Sequence, residues 1–391
     1  MTVHGLDGAS AAPDWRPIDA SDLRELSRGL ARLKGARILW PSPRPFSAGA
    51  LVESQAGRFF VKRHDPRVRD VSALHEEHAF AAHLARGGAR IVEPLRGEAG
   101  ESAFATRTGV FEVFGDAPGE DLYREAHSWT PVRNEEHARA LGEALARFHL
   151  AAAGFDAPVR PPRPLLCGME FSLGRNPGEA LLVFCADRPA VADFLAREDL
   201  WAGVVAALSP WHERWRALGL EPEPLWVHGD WHASNLFWQA DGAGVASVID
   251  LGLCNRACAL LDLAIALERN SIEWLREGGA IGRPELALAI LRGYEAVKPL
   301  DVARRNALVA LLPISHVETA LSEVDYFFGV LGDRGRARLA CPGFLVGHVE
   351  WFGAREGRDY LEALTPGPSP GGRGEDQGPL SLRERGGGEG A

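Results

Sequence analysis

The stretch that decides the reading is VHGDWHASNLFW, Val227–Trp238. An apolar approach, Trp226 and Val227, leads into His228, Gly229 and Asp230. Asn235 follows after four residues, and Leu236–Trp238 read as a short strand. QADGAG is then a turn, and VASVID is a returning strand that ends on Asp250. Such a hairpin puts Asn235 and Asp250 at one end, with Asp230 in the loop just before it. Two carboxylates and one amide oxygen then share a small volume. Two of these groups suit Mg2+, which takes oxygen ligands, usually one or two carboxylates plus substrate phosphates. The remaining carboxylate is free to act as a base. Phosphoryl transfer needs this division of labour: a cation neutralises phosphate charge while an Asp orients or deprotonates the attacking hydroxyl.

Outward from the hairpin, the pattern extends in both directions. The spacing D-x-x-x-x-N from Asp230 to Asn235 is that of protein-kinase catalytic loops, and Asp250-Leu251-Gly252 stands where those enzymes hold a metal-binding Asp. Upstream, Arg37–Trp40, Ala50–Ser54 and Arg58–Arg63 read as three short strands, with QAG as the turn between the last two. Lys62 follows three apolar residues on the third. DVSALHEEHAFAAHLARGG reads as a helix with Leu74, Glu77, Phe80, Ala81 and Leu84 on or beside one face. Glu77, with Glu76 as the fallback, is the expected partner of Lys62, holding its head on ATP phosphates. Two more strands follow, up to VFEVFGDAPGEDL. The expected fold is therefore α+β and bilobal, protein-kinase-like. A small five-stranded antiparallel lobe spans 1–115, with residues 1–20 loose, and a larger helical lobe spans 116–364. Thr130 is the expected N-cap of the first long helix of that lobe, with Pro131 at its first position. The segment 365–391, rich in Gly, Pro and charge, is expected to stay unstructured.

Composition narrows the partners. The chain has 391 residues, 46% hydrophobic and 25% charged, with a net charge of −10. An acidic balance argues against nucleic acid, which needs a basic footprint. Five irregularly spaced cysteines point to free thiols in a reducing compartment, so a cytoplasmic location is expected. The N-terminus lacks a basic start followed by an apolar stretch, and no run of about 18 apolar residues appears. Neither a signal peptide nor a membrane partner is expected. Oligomeric state has no sequence signal.

VHGDWHASNLFW, VIDLG and LLDLAIALERN together resemble the aminoglycoside phosphotransferase and choline kinase superfamily, over roughly residues 35 to 355. DLAIALERNSIEWL and LRGYEAVKPLD look like the branch holding type II homoserine kinase and stress-response kinases. The resemblance implies an ATP-dependent kinase acting on a hydroxyl of a small molecule, with Asp230 as base, Asn235 and Asp250 on Mg2+ and Lys62 on phosphate. It also implies backbone contacts from Val113 and Phe114 to adenine. An aminoglycoside-type drug kinase, a protein Ser/Thr kinase of the stress-response type and a nucleotide-binding pseudokinase are the alternatives. The pseudokinase reading suits the residues least, because Lys62, Asp230, Asn235 and Asp250 are all present. The loop PFSAGAL, with Ser47 and Gly49 as its phosphate-cradling candidates, has one Gly where protein kinases have G-x-G-x-x-G.

The remaining polar residues read more plainly. His228 is expected to fix the catalytic loop rather than bind zinc with His232, and Asp262 to brace the same loop. Trp231 is either structural or part of the acceptor pocket. Glu268, Glu318, Glu323 and Asp325 either pair with an acceptor amine or are solvated.

Overall fold

The computed structural model describes residues 13–365. The segments 1–12 and 366–391, including the expected unstructured tail, lie outside the described residues.

Strands β1 (Arg37–Pro41), β2 (Ala48–Ser54), β3 (Gly57–His64), β4 (Phe104–Thr106) and β5 (Gly109–Gly115) form one antiparallel sheet, in the order β1-β2-β3-β5-β4. Alternation along β3 assigns its two faces. Phe59 and Val61 are buried with Val52, Phe111 and Val113 under helix α1 (Ala20–Leu26). Arg63, on the same face, reaches Asp22 of α1 at 3.0 Å. Lys62 and His64 face the other way, opposite Glu112 and Val110 of β5. Helix α2 (Val71–Arg86) covers that second face, and its His78 joins His64 on the Glu112 carboxylate, each at 3.0 Å.

Residues 13–20 are not loose, contrary to expectation. Ile18 is 4% exposed in the core under α1, and Asp19 caps that helix in a capping box with Asp22. The Trp15 indole N–H donates to the Phe46 carbonyl at 3.1 Å. Trp15 and Phe46 both lie edge-on to Tyr326, whose hydroxyl donates to Asp14 at 2.8 Å. Two apolar residues in a polar segment suffice as anchors, and a composition-based reading passes over them.

The helical region holds α3 (Glu135–Ala152), α4 (Glu170–Leu173), α5 (Pro177–Ala186), α6 (Pro189–Arg197), α7 (Trp201–Arg216) and α8 (Ala259–Ser271). Helices α9 (Pro284–Glu295), α10 (Val302–Leu311), α11 (Val317–Val324), α12 (Arg334–Arg338), α13 (Leu345–Gly353) and α14 (Arg355–Leu364) complete it. Helix α3 starts later than expected. Asn134, not Thr130, is its N-cap, accepting the His137 N–H at 2.8 Å. Gly142 and Gly293 bring α3 and α9 into backbone contact: a Cβ at either would fall 1.9 Å or 2.0 Å from a carbonyl oxygen of the facing helix. The apolar face of α2, with Phe80 and Leu84, belongs to the helical region's core. Among the described residues one run, Val302–Val330, is long and apolar enough by composition to cross a membrane, yet 94% of its most apolar window is buried inside the fold.

Between α7 and α8, the chain makes two short ladders. Strand β6 (Pro224–Val227) pairs with β9 (Asn255–Cys258), and β7 (Leu236–Trp238) pairs with β8 (Val245–Val248), all antiparallel. The turn after β8 meets the sheet beside α2, where Asp250 pairs with Lys62.

Candidate active site

The loop from β6 to β7 is held by a buried polar chain. Asp262, at the start of α8, accepts the backbone N–H of His228 and of Gly229, each at 2.9 Å. His149 of α3 contacts the same carboxylate at 3.0 Å, and the Tyr294 hydroxyl of α9 meets His149 at 2.8 Å. Burial works to raise the Asp262 carboxyl, but His149 and the loop amides hold it below its ordinary value. His228 reaches the Ile249 carbonyl through Nε2 at 3.1 Å. Asn270 completes the frame: its amide donates to the Trp231 carbonyl and accepts from Ala233 N–H, each at 2.9 Å. His228 and Asp262 are thus structural. Trp231 is fully buried against Phe148 and His228, so it belongs to the core and not to an acceptor pocket.

The framed loop presents Asp230. Its Oδ2 lies 3.3 Å from His232 Nε2 and accepts from the Asn235 amide at 3.2 Å. Its Oδ1 lies 3.2 Å from the Arg269 guanidinium. Burial opposes the charge, yet His232 and Arg269 hold this carboxyl far below the usual carboxylate range. With its nitrogen turned to Asp230, the Asn235 amide directs its oxygen elsewhere. The Ile249 N–H donates to the Asn235 carbonyl at 3.0 Å, which brings Asp250 to the same end of the hairpin. Asp250 sits in the left-handed backbone region at φ 62°, a conformation costing about 1–3 kcal/mol for such a residue. Its Oδ2 forms an ion pair with Lys62 Nζ at 3.0 Å. Against burial, Lys62 and Arg69 hold the Asp250 carboxyl down to about 2. Its side chain remains 38% exposed. Lys62, Asp230, Asn235 and Asp250 therefore converge, from three separate stretches of chain.

The ligand chemistry at this point fits a hard divalent cation. One ionised, accessible carboxylate and one amide oxygen leave room for phosphate oxygens and water, as Mg2+ requires.

The expected pairing of Lys62 with Glu77 does not form. Glu77 is engaged by Arg160 at 2.8 Å and by Arg69 at 3.2 Å. Arg160 also binds Glu76 at 3.0 Å, the Cys254 carbonyl at 2.9 Å and the Ala73 carbonyl at 3.3 Å. Two guanidiniums meet the same oxygen, Glu77 Oε1, and already balance its charge. Lys62 is then left to Asp250. Arg160 thereby clamps α2 to the segment after Asp250. Arg69 lies against Gly252, where a Cβ would sit 1.8 Å from its guanidinium.

Among the other expected contacts, Ser47 is buried, and Gly49 lies in β2 opposite Lys62. The space beside its Cα holds Phe60 and Ser42, each 3.0 Å from where a Cβ would sit, so a larger residue at Gly49 would press on that ring. The loop before it is drawn to the helical region by Arg44, which donates to the Ala126 carbonyl at 3.1 Å. Val113 points its side chain into the core under α1, and its carbonyl accepts the Leu95 N–H at 2.7 Å. Phe114, next along β5, lies on the cleft face, and Gly115 follows with nothing within 4 Å of a built Cβ.

None of the four acidic residues of the helical region is freely solvated. Glu318 accepts the N–H groups of Gly168 and Phe171 at 2.9 Å and 2.6 Å. Glu268 and Asp325 are buried. Burial pushes the Glu323 carboxyl up to about 7, while Arg269 pulls it down and Asp230 adds to the rise. Glu323 therefore shares the electrostatic environment of Asp230. Arg69, Arg160 and Arg269 have no place in the reading of the sequence, and His232 enters it only as a zinc ligand set aside. Arg269 alone carried a signal, as the residue beside Asn270 on the helix that follows Asp262.

A family model described as a phosphotransferase enzyme family matches residues 45–306. A homoserine kinase of Phenylobacterium zucineum is 29% identical over 272 residues, 67% of this chain and 71% of that protein. A homoserine kinase of Methylorubrum populi is 30% identical over 268 residues, 66% of this chain and 71% of that protein. Among solved structures, a microcompartment-associated aminopropanol kinase superposes with a TM-score of 0.53 at 16% identity, covering 87% of this chain and 99% of that one. At that identity the likeness is one of fold.

Proposed function

The chain belongs to the phosphotransferase enzyme family, and from that premise we propose that it moves the γ-phosphate of ATP to the hydroxyl of a small amino alcohol, homoserine or a close analogue. The observation that carries this reading is the convergence of Lys62, Asp230, Asn235 and Asp250 at one end of a hairpin. The acceptor class rests on the homoserine kinases among its relatives. The partly enclosed Glu323 carboxylate beside Asp230 and Arg269 supports an acceptor that carries an ammonium.

Asp230 orients the acceptor hydroxyl. Because His232 and Arg269 keep it ionised, it is a weak base, and it takes the proton late. The acceptor oxygen forms its bond to the γ-phosphorus as the bond to the β,γ-bridging oxygen breaks and ADP leaves. A loose transition state suits this timing, since the hydroxyl stays protonated until transfer is well advanced. Lys62 holds phosphate oxygens. Asn235 and Asp250 would supply the oxygens that hold Mg2+, which would neutralise phosphate charge there. Adenine rests against the backbone on the Phe114 side of β5, because the Val113 carbonyl is already engaged.

ATP consumption against a panel of amino alcohols, amino sugars and Ser/Thr peptides tests the reading. Turnover with an amino alcohol, with a phosphate ester recovered as product, is the expected outcome. Preference for an amino sugar or a peptide would overturn the acceptor class, and nucleotide binding without turnover on any acceptor would favour a pseudokinase.

A further inference from the structure

Behind Arg269, three buried side chains from separate parts of the helical region converge. Glu268 of α8, His316 just before α11 and His348 of α13 each present one ligating atom, all within 4.8 Å of one another. Glu268 Oε1 lies 2.7 Å from His348 Nδ1 and 3.8 Å from His316 Nδ1. Neighbouring rings hold the two imidazoles: Trp274 stacks on His348 at a centroid distance of 3.4 Å, and Phe344 on His316 at 5.3 Å.

His316 carries the argument. Its Nε2 lies 2.9 Å from the Leu345 carbonyl oxygen, which fixes the proton on Nε2. With that proton on Nε2, Nδ1 presents its lone pair. That nitrogen is fully enclosed and has no hydrogen-bond partner, and it faces a carboxylate oxygen. Two acceptors turned on each other in an apolar core, with no donor between them, are unfavourable. A cation between them removes the conflict. An imidazole whose far N–H is tied to a backbone carbonyl is also the arrangement that orients metal-ligating histidines.

We propose that Glu268, His316 and His348 bind one divalent transition-metal ion of the zinc class. Two imidazole nitrogens and one carboxylate suit Zn2+, whereas Mg2+ prefers oxygen ligands. Tetrahedral bonds of about 2.0–2.1 Å place ligand atoms about 3.3 Å apart. The separations of 2.7 Å and 3.8 Å straddle that value. The ion would brace α8 at the turn that also carries Arg269, on Asp230, and Asn270, on the loop backbone. Its role is therefore structural support of the catalytic loop, whatever the acceptor.

Metal content and cobalt spectroscopy on the full chain test this. Wild-type protein, stripped with a chelator, should take up zinc stoichiometrically against a chromogenic competitor. Co2+ should give the visible bands of a low-symmetry site of nitrogen and oxygen ligands, a readout that needs no enzymatic activity. Glu268→Gln, nearly isosteric, and His316→Ala should each weaken zinc by more than the about 10–100-fold that outer-shell changes cause. Asp250→Asn should retain zinc, which separates this site from any cation held with nucleotide. Absence of stoichiometric uptake by wild type would overturn the proposal, as would unchanged affinity in both ligand variants or loss of zinc in Asp250→Asn. If the ligand variants do not fold, the wild-type cobalt titration together with Asp250→Asn decides.

Discussion

Replacing Arg160 by Met isolates the clamp between α2 and the segment after Asp250. The Arg160 side chain is 1% exposed, and Glu77, its partner at 2.8 Å, is 5% exposed. The Met stem retains much of the apolar packing, so the loss is mainly polar. Glu77 keeps only Arg69 at 3.2 Å. Removing one member of a buried ion pair typically costs about 3–5 kcal/mol, because the other charge stays buried with too little compensation. The pairing with half-exposed Glu76 adds about 0–1 kcal/mol. The Cys254 and Ala73 carbonyls also lose a donor. The expected loss is therefore about 3–6 kcal/mol, a large part of the about 5–15 kcal/mol that folded proteins possess. Urea unfolding should show a lower midpoint with an unchanged slope. Because Cys254 lies just beyond Asp250, affinity for Mg·ATP measured by calorimetry should fall as well. A stability loss under about 1 kcal/mol would refute the buried-clamp reasoning, since that is the range of an exposed pair.

Three further outcomes follow from the site. Asp230→Ala should lower turnover by about 10²–10⁴-fold with ATP binding retained, as expected for removal of a positioned base; steady-state kinetics with unchanged turnover would remove Asp230 from that role. Lys62→Met should raise the Michaelis constant for ATP, while Glu77→Gln should mainly lower the melting temperature; equal kinetic defects in both would restore a Lys62–Glu77 pair. Glu323, raised to about 7 by burial, binds a proton in the folded state at a pH where the unfolded carboxyl has lost it. Its contribution to stability is thus present at low pH and fades as pH rises through about 7, whereas an ammonium acceptor needs it ionised. The Michaelis constant for the acceptor should accordingly fall as pH passes about 7, and Glu323→Gln should flatten that dependence.

The sequence was most legible where the chemistry is local. Asp230, Asn235 and Asp250 are close in the chain and separated by turn residues, so one hairpin brings them together. Lys62 was legible as a residue on the cleft face of a strand, but its partner was not. Helical periodicity placed Glu77 on the inner face of α2 without saying which cation would reach it. Arg160 lies in APVRPPRP, a proline-rich connection with no periodicity, and only the path of that connection over α2 brings it to Glu77 and Glu76. Glu268, His316 and His348 lie on separate elements of the helical region and show no metal-ligand spacing. Alternation on β5 turns Val113 into the core and leaves Phe114 on the cleft side, a register that strand periodicity alone makes legible.

The ring cluster of Trp15, Phe46, Tyr326 and Phe327 joins residues before the first strand to a segment near the end of the helical region. Asp14 reinforces it through Tyr326 and Arg336. Together with the Phe80 and Leu84 side of α2, it makes the sheet and the helices share buried surface at two distant points. Neither part can melt without exposing rings of the other to water. Heat should therefore unfold the protein in a single calorimetric transition whose measured and van't Hoff enthalpies agree, and not as two lobes in succession.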